Sequence, residues 1–504
     1  MKEIIYVQAG NGSNHVGTHF WNAQQSYFTY NPDEDVLVDH DVSFREGVSP
    51  RGEPTYCPRV LQFDRKGTFV LLFPSHGPSL SDGTVDEIRQ DQIPDIAYQT
   101  QLDQEADEND FVGPQDPKTS SLLPPLRASD IRYWSDYNRV HYLPRSMHRL
   151  PDLAEWETAD GDWQGGRETF LRYDSENALM DDSFRLFVEE CDTFQGLQLC
   201  TDNASFGSFV NSLLMAFRDE FPKQPTLMFA VMSDVVPGNL EIDDVRGIRK
   251  ALNDALCLRG LNELSTMTVP LQSPSNWRPG SWTAELTTDL QSIYEASGVL
   301  SAHFENVTLP LRLKVRESLY GFCQQLNVYG NTPFAELSGA FRRPLSIRDV
   351  TRGWPELRCP GTQVREARSS RRALQDLIPT GTAWFPHSLH APIEYPLPSS
   401  FPSFFRAKDL RVELRHTSQG ILTRPRSVPM LSTLASGWLL PRLFSQYADF
   451  VGACVRRKID WATLGIDKDE AQQLRDDLWT LRDNFGEGSE LASNEDGEEG
   501  LDEG

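Results

Sequence analysis

The sequence predicts an α/β fold, and three observations point to it. Ile4 to Val7 form a short apolar run that leads into Gly10-Asn11-Gly12-Ser13 and then into an amphipathic stretch from Asn14 to Gln25. Apolar run, glycine turn and polar-started helix are the order of a βα unit. Further on, Phe206, Phe209, Val210, Leu213, Leu214, Phe217 and Phe221 recur in steps of three and four, which makes one apolar stripe on a helix. Pro222 and Pro225 end that helix, and the apolar run Thr226 to Met232 follows as a strand. Helix then strand across a short turn is half of a parallel βαβ arrangement.

The opening unit is Rossmann-related in its order. It places backbone N–H groups at a helix N-terminus, where an anion can sit. Gly10, Gly12 and Gly17 depart from the dinucleotide fingerprint, because His15 stands where that pattern needs glycine. Gly10, Asn11, Gly12, Ser13 and Asn14 are the candidate contacts to a bound nucleotide. His15 and His19 lie four apart, a spacing that can ligate a metal. No Cys or carboxylate stands near them in sequence, so packing is the expected role and no metal site is expected. Neither a G-x-S-x-G elbow nor a G-K-[ST] phosphate loop occurs, and no catalytic residue is assigned.

Composition narrows the function. A chain of 504 residues accommodates roughly two to four domains. The net charge of −25 argues against nucleic acid as a general partner, since a phosphate backbone demands a basic footprint. Seven cysteines without a C-x-x-C pair fit free thiols in a reducing compartment. No apolar run reaches the ~18 residues of a membrane span. Lys and Arg are absent between Lys2 and Arg45, which excludes an Arg-rich presequence. Contact with an organelle is therefore expected from the cytosolic side, or by an internal signal.

The chain divides by composition. Residues 1–80 and 131–260 read as the nucleotide-fold domain, with Thr68 to Phe73 as a buried strand. Residues 81–130 are rich in Asp, Glu, Pro and Ser and read as an acidic, disordered insertion. A second α+β region is expected over 261–425. It contains an Arg-rich loop at 341–372, with nine arginines against Asp349, Glu356 and Glu366. Helices are expected over 426–484, from Met430 to Lys458 and from Asp467 to Asn484. The final stretch, 485–504, carries eight acidic and no basic residues and reads as a disordered tail.

Whole segments are more specific than patterns. Met1 to Asn22 closely resembles the N-terminus of tubulin, with Gln8-Ala9-Gly10, Asn14, Gly17 and Phe20-Trp21 at tubulin-like spacing. Three further segments are similar to tubulin in the same order: Pro58 to Asp64 with Gly67, Cys191-Asp192 with Gln195 to Leu199, and Arg218 to Pro222. The resemblance implies a tubulin-like N-terminal domain, a second α+β region and a helical C-terminus. It also implies phosphate contacts near Ser205, Gly207 and Ser208.

The match breaks at that point. Where tubulins carry glycines that wrap the phosphates, this chain reads Cys200 to Ser208 with Gly207 alone. Backbone N–H groups approach phosphates most readily through glycine, which accepts φ > 0 and has no Cβ in the way. Phe206 would fill that space, and Asp202 would set a negative charge beside an anion. Tyr133 to Asn138 stands where a Gly-Ala-Gly-Asn turn is expected. Glu285 and Asp289 are the nearest candidates for tubulin's acidic hydrolysis loop, without its flanking pattern.

A tubulin-like start, an eroded phosphate loop and an acidic insertion resemble the Misato family of tubulin-related proteins. That resemblance implies a non-enzymatic role in partitioning mitochondria and inheriting mitochondrial DNA, at mitochondria and in the cytoplasm. It further implies protein partners and no required cofactor. The alternative is a GTP-binding, assembling protein of the tubulin type.

Overall fold

A computed structural model describes residues 2–28, 38–48, 54–65, 128–150, 160–241, 244–277, 286–327, 330–341, 386–387, 394–405, 427–428, 430–436, 440–457, 461 and 466–495. The expected strand at Thr68 to Phe73, nearly all of the acidic insertion, the Arg-rich loop beyond Phe341, Glu285, and the tail from 496 lie outside them.

The strands are β1 (Glu3–Ala9), β2 (Phe44–Val48), β3 (Pro54–Pro58), β4 (Val60–Arg65), β5 (Met147–Leu150), β6 (Phe194–Asp202), β7 (Thr226–Val231), β8 (Met267–Leu271), β9 (Glu336–Phe341), β10 (Pro386–His387), β11 (Tyr395–Pro396), β12 (Ser427–Val428) and β13 (Met430–Ala435). The α-helices are α1 (Asn11–Gln25), α2 (Trp163–Asn177), α3 (Arg185–Glu189), α4 (Asn203–Glu220), α5 (Val245–Leu264), α6 (Ile293–Thr308), α7 (Leu319–Leu326), α8 (Leu440–Arg456) and α9 (Lys468–Glu495).

A six-stranded sheet in the order β5-β4-β1-β6-β7-β8 forms the frame, and every neighbour pair in it is parallel. The chain builds outward from β1 to β4 and β5, then returns to the other side of β1 with β6, β7 and β8. The order therefore reverses between β1 and β6. In open α/β sheets, ligands bind at such a switch point, beyond the carboxyl ends of the strands.

Burial of β1 on both faces explains its near-continuous apolar sequence. Ile4 and Tyr6 join a core with Phe20 and Trp21 of α1 and Val299, Ala302 and Phe304 of α6. Ile5 and Val7 face the opposite core, with Phe170 of α2 and Phe206, Phe209 and Phe217 of α4. A third core joins α5 to α8 and α9 through Leu252, Leu256, Phe444, Val451, Leu474 and Leu478. Arg218 ties these layers together. Its Nε donates to the Leu264 carbonyl at the end of α5 and its Nη2 donates to Thr226 Oγ1 at the start of β7, both at 2.8 Å.

One buried ion pair joins the first helix to the second half of the chain. Glu305 of α6 and Arg312 just after it are both fully buried, 3.4 Å apart. Gln24 of α1 donates to Glu305 Oε1 at 3.0 Å. Arg312 also donates to the Glu305 carbonyl and to Thr308 Oγ1, each at 3.1 Å, and its guanidinium lies 4.9 Å over the Phe20 ring. Burial raises the Glu305 carboxyl above its usual range, while Arg312 pulls it back down.

Three boundaries differ from expectation. The sixth strand, β8, lies beyond residue 260 and belongs to the first sheet through β7. Met430 to Ala435 is a strand rather than a helix; it pairs antiparallel with β9, and its Ser432 hydroxyl meets His303 Nδ1 at 2.7 Å. The last helix continues to Glu495, into the stretch read as a disordered tail. Glu490, Leu491 and Ala492 are strong helix formers, and that propensity outweighs the two glycines before them.

Candidate functional site

Gly10 ends β1 with φ 104°, a left-handed value that glycine tolerates and other residues avoid. Its N–H donates to the Phe63 carbonyl of β4 at 3.0 Å, and its carbonyl accepts from Asn14 N at 2.9 Å, which starts α1. Asn11 and Gly12 are half-buried, while Ser13 and Asn14 are buried. Asn14 donates from Nδ2 to the Phe63 carbonyl at 3.1 Å and to Asp64 Oδ2 at 3.0 Å. Trp134 Nε1 reaches the same Asp64 oxygen at 3.2 Å. The five candidates at 10–14 therefore stand together at the switch point.

The free N–H groups of that turn have an acceptor within the chain. Gly12 N donates to Asp202 Oδ2 at 2.7 Å and Ser13 N to Asp202 Oδ1 at 2.8 Å. Ser13 Oγ also donates to Oδ1, at 2.7 Å. A carboxylate thus sits where the N-terminus of α1 would receive a ligand anion. Burial pushes the Asp202 carboxyl up to about 6 and Asp64 adds to the rise, while the bonds from Ser13 and Gly12 oppose it.

The facing segment is not a loop. β6 ends at Asp202 and α4 begins at Asn203, so strand runs straight into helix. Ser205, Gly207 and Ser208 belong to the first turns of α4. Ser205 is half-buried. Gly207 faces α5: a Cβ there would lie 2.3 Å from Cys257 Sγ, so glycine serves close helix packing. Ser208 is buried beside Gly166 of α2. Phe206 is 1% exposed, within the core formed with Phe209. The structure gathers residues 10–14 around Asp202 and sends Gly207 and Ser208 into helix contacts instead.

Aromatic groups fill the neighbouring space. Trp134–Tyr137 forms a single 3₁₀ turn. Tyr137 lies against His15, His19 and Tyr294, with ring centroids 5.6, 4.6 and 4.8 Å away. His15 Nδ1 meets the Tyr137 hydroxyl at 2.8 Å, and His19 Nε2 donates to the Tyr294 carbonyl at 2.9 Å. Burial lowers both imidazoles to about 3, so both are neutral packing groups. Asp289 accepts from Gln291 N at 3.0 Å in the turn before α6. Among the described residues, no group of three or more His, Cys, Asp or Glu could hold a metal ion.

Another carboxylate in this region is fully buried. Asp254 of α5 accepts from the Ser233 hydroxyl at 2.6 Å, from Ser233 N, and from the Tyr447 hydroxyl of α8 at 3.0 Å. Asn253 beside it donates to the Asn203 carbonyl at 2.7 Å. Burial pushes the Asp254 carboxyl up to about 6. Neither aspartate was assigned a partner by sequence reasoning. Gly12 and Asp202 are 190 positions apart, and no local pattern announces such a contact.

These shifts have a measurable sign. A carboxyl raised in the folded state binds its proton more tightly there than in the unfolded chain. Its stabilising effect is full below about pH 4 and is lost as the pH rises through about 6. The urea midpoint is therefore expected to fall between pH 5 and pH 7. Asp254 alone accounts for about 1.4 kcal/mol of that fall, the rest of its effect being lost already below pH 5. Asp254→Asn should flatten the profile. An unchanged slope in the variant would show that Asp254 does not titrate in this range.

Comparison with known sequences agrees with this architecture. The Misato segment II tubulin-like domain matches residues 2–111, and a tubulin domain matches residues 123–313. Protein dml-1 of Neurospora crassa is 31% identical over 396 residues, which cover 74% of this chain and 68% of that protein. The chain belongs to the Misato family. Protein dml1 of Aspergillus clavatus is 35% identical over 62% of this chain and 61% of its own length. Protein misato of Drosophila melanogaster is 28% identical over 64% and 62%. The matched region thus spans about three fifths of those two relatives. In this Misato-family chain, the six-stranded parallel sheet and the βα turn at its switch point are the tubulin-like part.

The geometry does not suit the phosphates of a bound GTP. The donors at Gly12 and Ser13 are already engaged by Asp202, and the segment facing them has no free turn to wrap a phosphate. A phosphate there would bring its charge against a carboxylate.

Proposed function

We propose that this chain is a tubulin-related scaffold, without nucleotide turnover, that acts in partitioning mitochondria and inheriting their DNA. The observation that carries the non-enzymatic part is the junction at Asp202 and Asn203, where β6 passes directly into α4 and Phe206 packs inside the core. A tubulin-type GTPase needs a flexible glycine loop at that junction, with N–H groups free for phosphate oxygens. The mitochondrial part rests on family membership, since fold does not fix function.

Under this reading the protein works at the cytosolic face of mitochondria and in the cytoplasm, through protein partners. No described helix is long and apolar enough to cross a membrane. The net charge of −25 disfavours general nucleic-acid binding.

Two experiments test it. Titration with GTP and GDP in the presence of Mg²⁺ is expected to give no saturable micromolar binding, and GTP is expected to leave light scattering unchanged. The second reading, a GTP-binding tubulin-type protein, draws on the retained turn at residues 10–14. It predicts micromolar binding that is abolished by Gly12→Trp, and that result would replace the scaffold. Depletion in cells is expected to disturb mitochondrial distribution and DNA retention; normal inheritance after depletion would remove the mitochondrial role.

A further inference from the structure

The amino-terminal edge of the sheet lies at the opposite end from the switch point. The strands of the frame are parallel, so the residues that lead into them gather there: Arg59 before β4, Arg145 before β5 and Glu190 before β6, with Glu3 opening β1. Arg45 of β2 joins them. Its Nε lies 3.0 Å from Glu190 Oε2, and Arg145 Nη2 meets the same oxygen. Arg59 stands beside them, because its backbone N–H donates to the Ser43 carbonyl, just ahead of β2, at 2.8 Å. Burial pushes the Cys57 and Cys191 thiols up to about 11. The charges of Arg45 and Arg145 pull Cys57 back down, and that of Arg59 pulls Cys191 down.

These guanidinium groups are not fully matched. Arg59 is 7% exposed, and its Nε and Nη1 are buried without a hydrogen-bond partner among the described residues. Arg145 Nε is buried and unpartnered in the same way. A buried cation with unmatched N–H donors carries a desolvation cost that an acceptor relieves. The nearby carboxylates are engaged elsewhere. Glu190 takes Arg45 and Arg145, and Glu3 Oε2 accepts from Thr193 N at 2.9 Å. Asp41 also faces Arg59; burial, Asp39 and Glu46 hold its carboxyl above the usual range, against the pull of Arg59. The Arg45 and Arg145 side chains are 37% and 24% exposed, so a small solute can reach this edge.

We propose that Arg59 and Arg145 form a site for a small oxyanion, of the phosphate or sulfate type, at the amino-terminal edge of the sheet. A guanidinium fork matches the paired oxygens of such an ion. The recessed position of Arg59 favours a free ion over a headgroup held in a bilayer. Glu3, Asp41 and Glu190 keep the binding weak, with a dissociation constant of about 1 mM. The site is separate from residues 10–14, and the scaffold reading does not depend on it.

Thermal unfolding of the full chain tests this, with inorganic phosphate titrated against chloride at matched ionic strength and pH. The midpoint is expected to rise saturably in phosphate, by about 2–3 °C at a roughly hundredfold excess over the dissociation constant, and not in chloride. Arg59→Gln should abolish the response. Arg145→Gln, at a half-buried position, gives the reading if Arg59→Gln does not fold; it should weaken the apparent phosphate affinity roughly tenfold. Arg246→Gln removes an exposed arginine at the start of α5, where it pairs with Asp160, and should keep the full response.

The proposal is overturned if phosphate and chloride give the unaltered protein the same midpoint, which would mean that water alone satisfies these donors. It is equally overturned if Arg145→Gln responds as strongly as the unaltered chain, or if Arg246→Gln loses as much of the response as Arg145→Gln.

Discussion

Arg312→Ala lowers the stability of this protein by about 3–5 kcal/mol, the usual cost of stripping one partner from a buried ion pair. The truncation leaves the Glu305 carboxylate in a fully buried position, with Gln24 as a hydrogen-bond donor to Oε1 but no cation beside it. It also removes the guanidinium from the face of Phe20 and its donors from Thr308 and the Glu305 carbonyl. A urea titration should show a lower midpoint with an unchanged slope, since the native fold keeps its extent. The double change Glu305→Leu with Arg312→Met should cost far less than the two single truncations added together, because no charge is then stranded. A loss below about 1 kcal/mol for Arg312→Ala would mean that water reaches the pair and that it adds little to the α1–α6 contact.

Phe206→Ala is the second large effect, at about 3–5 kcal/mol for truncating a buried phenylalanine. The ring packs 5.8 Å from Phe209 in the core beneath α4. The same variant is expected to leave GTP binding absent, since the donors at Gly12 and Ser13 remain committed to Asp202. Urea unfolding measures the first expectation and a GTP titration the second. A variant that gained GTP affinity and kept its stability would show the ring to be a cover over a working site rather than part of the core.

Much of the fold was legible because the signals were local. The stripe from Phe206 to Phe221 announced α4 by its period, although the helix begins three residues earlier, at Asn203. The opening strand, turn and helix were visible as β1, Gly10 and α1. The short strand at Met430 to Ala435 was misread because alternating and helical patterns overlap in a six-residue segment with Ser432 and Thr433 at its centre. Its pairing with β9 is a tertiary fact.

At the candidate site, the residues at 10–14 could be located but their partner could not. Asp202 stood out as a charge in the wrong place for a phosphate, yet nothing near it in sequence says where its oxygens go. That is decided by the β1–β6 register, a contact across some 190 residues. Asp254 was invisible for the same reason, since Ser233 and Tyr447 come from distant parts of the chain.

The sheet order has a consequence for how the protein is made. β1 leaves the ribosome first but ends in the middle of the sheet, between β4 and β6. At ~5–20 residues per second, β6 emerges roughly 10–40 s after β1. Throughout that interval a strand whose two faces end up buried lacks one neighbour, and an open strand edge invites pairing with other chains. β1 is therefore open to such mispairing during translation, and its pairing is complete only once β6, which ends at Asp202, has been synthesised.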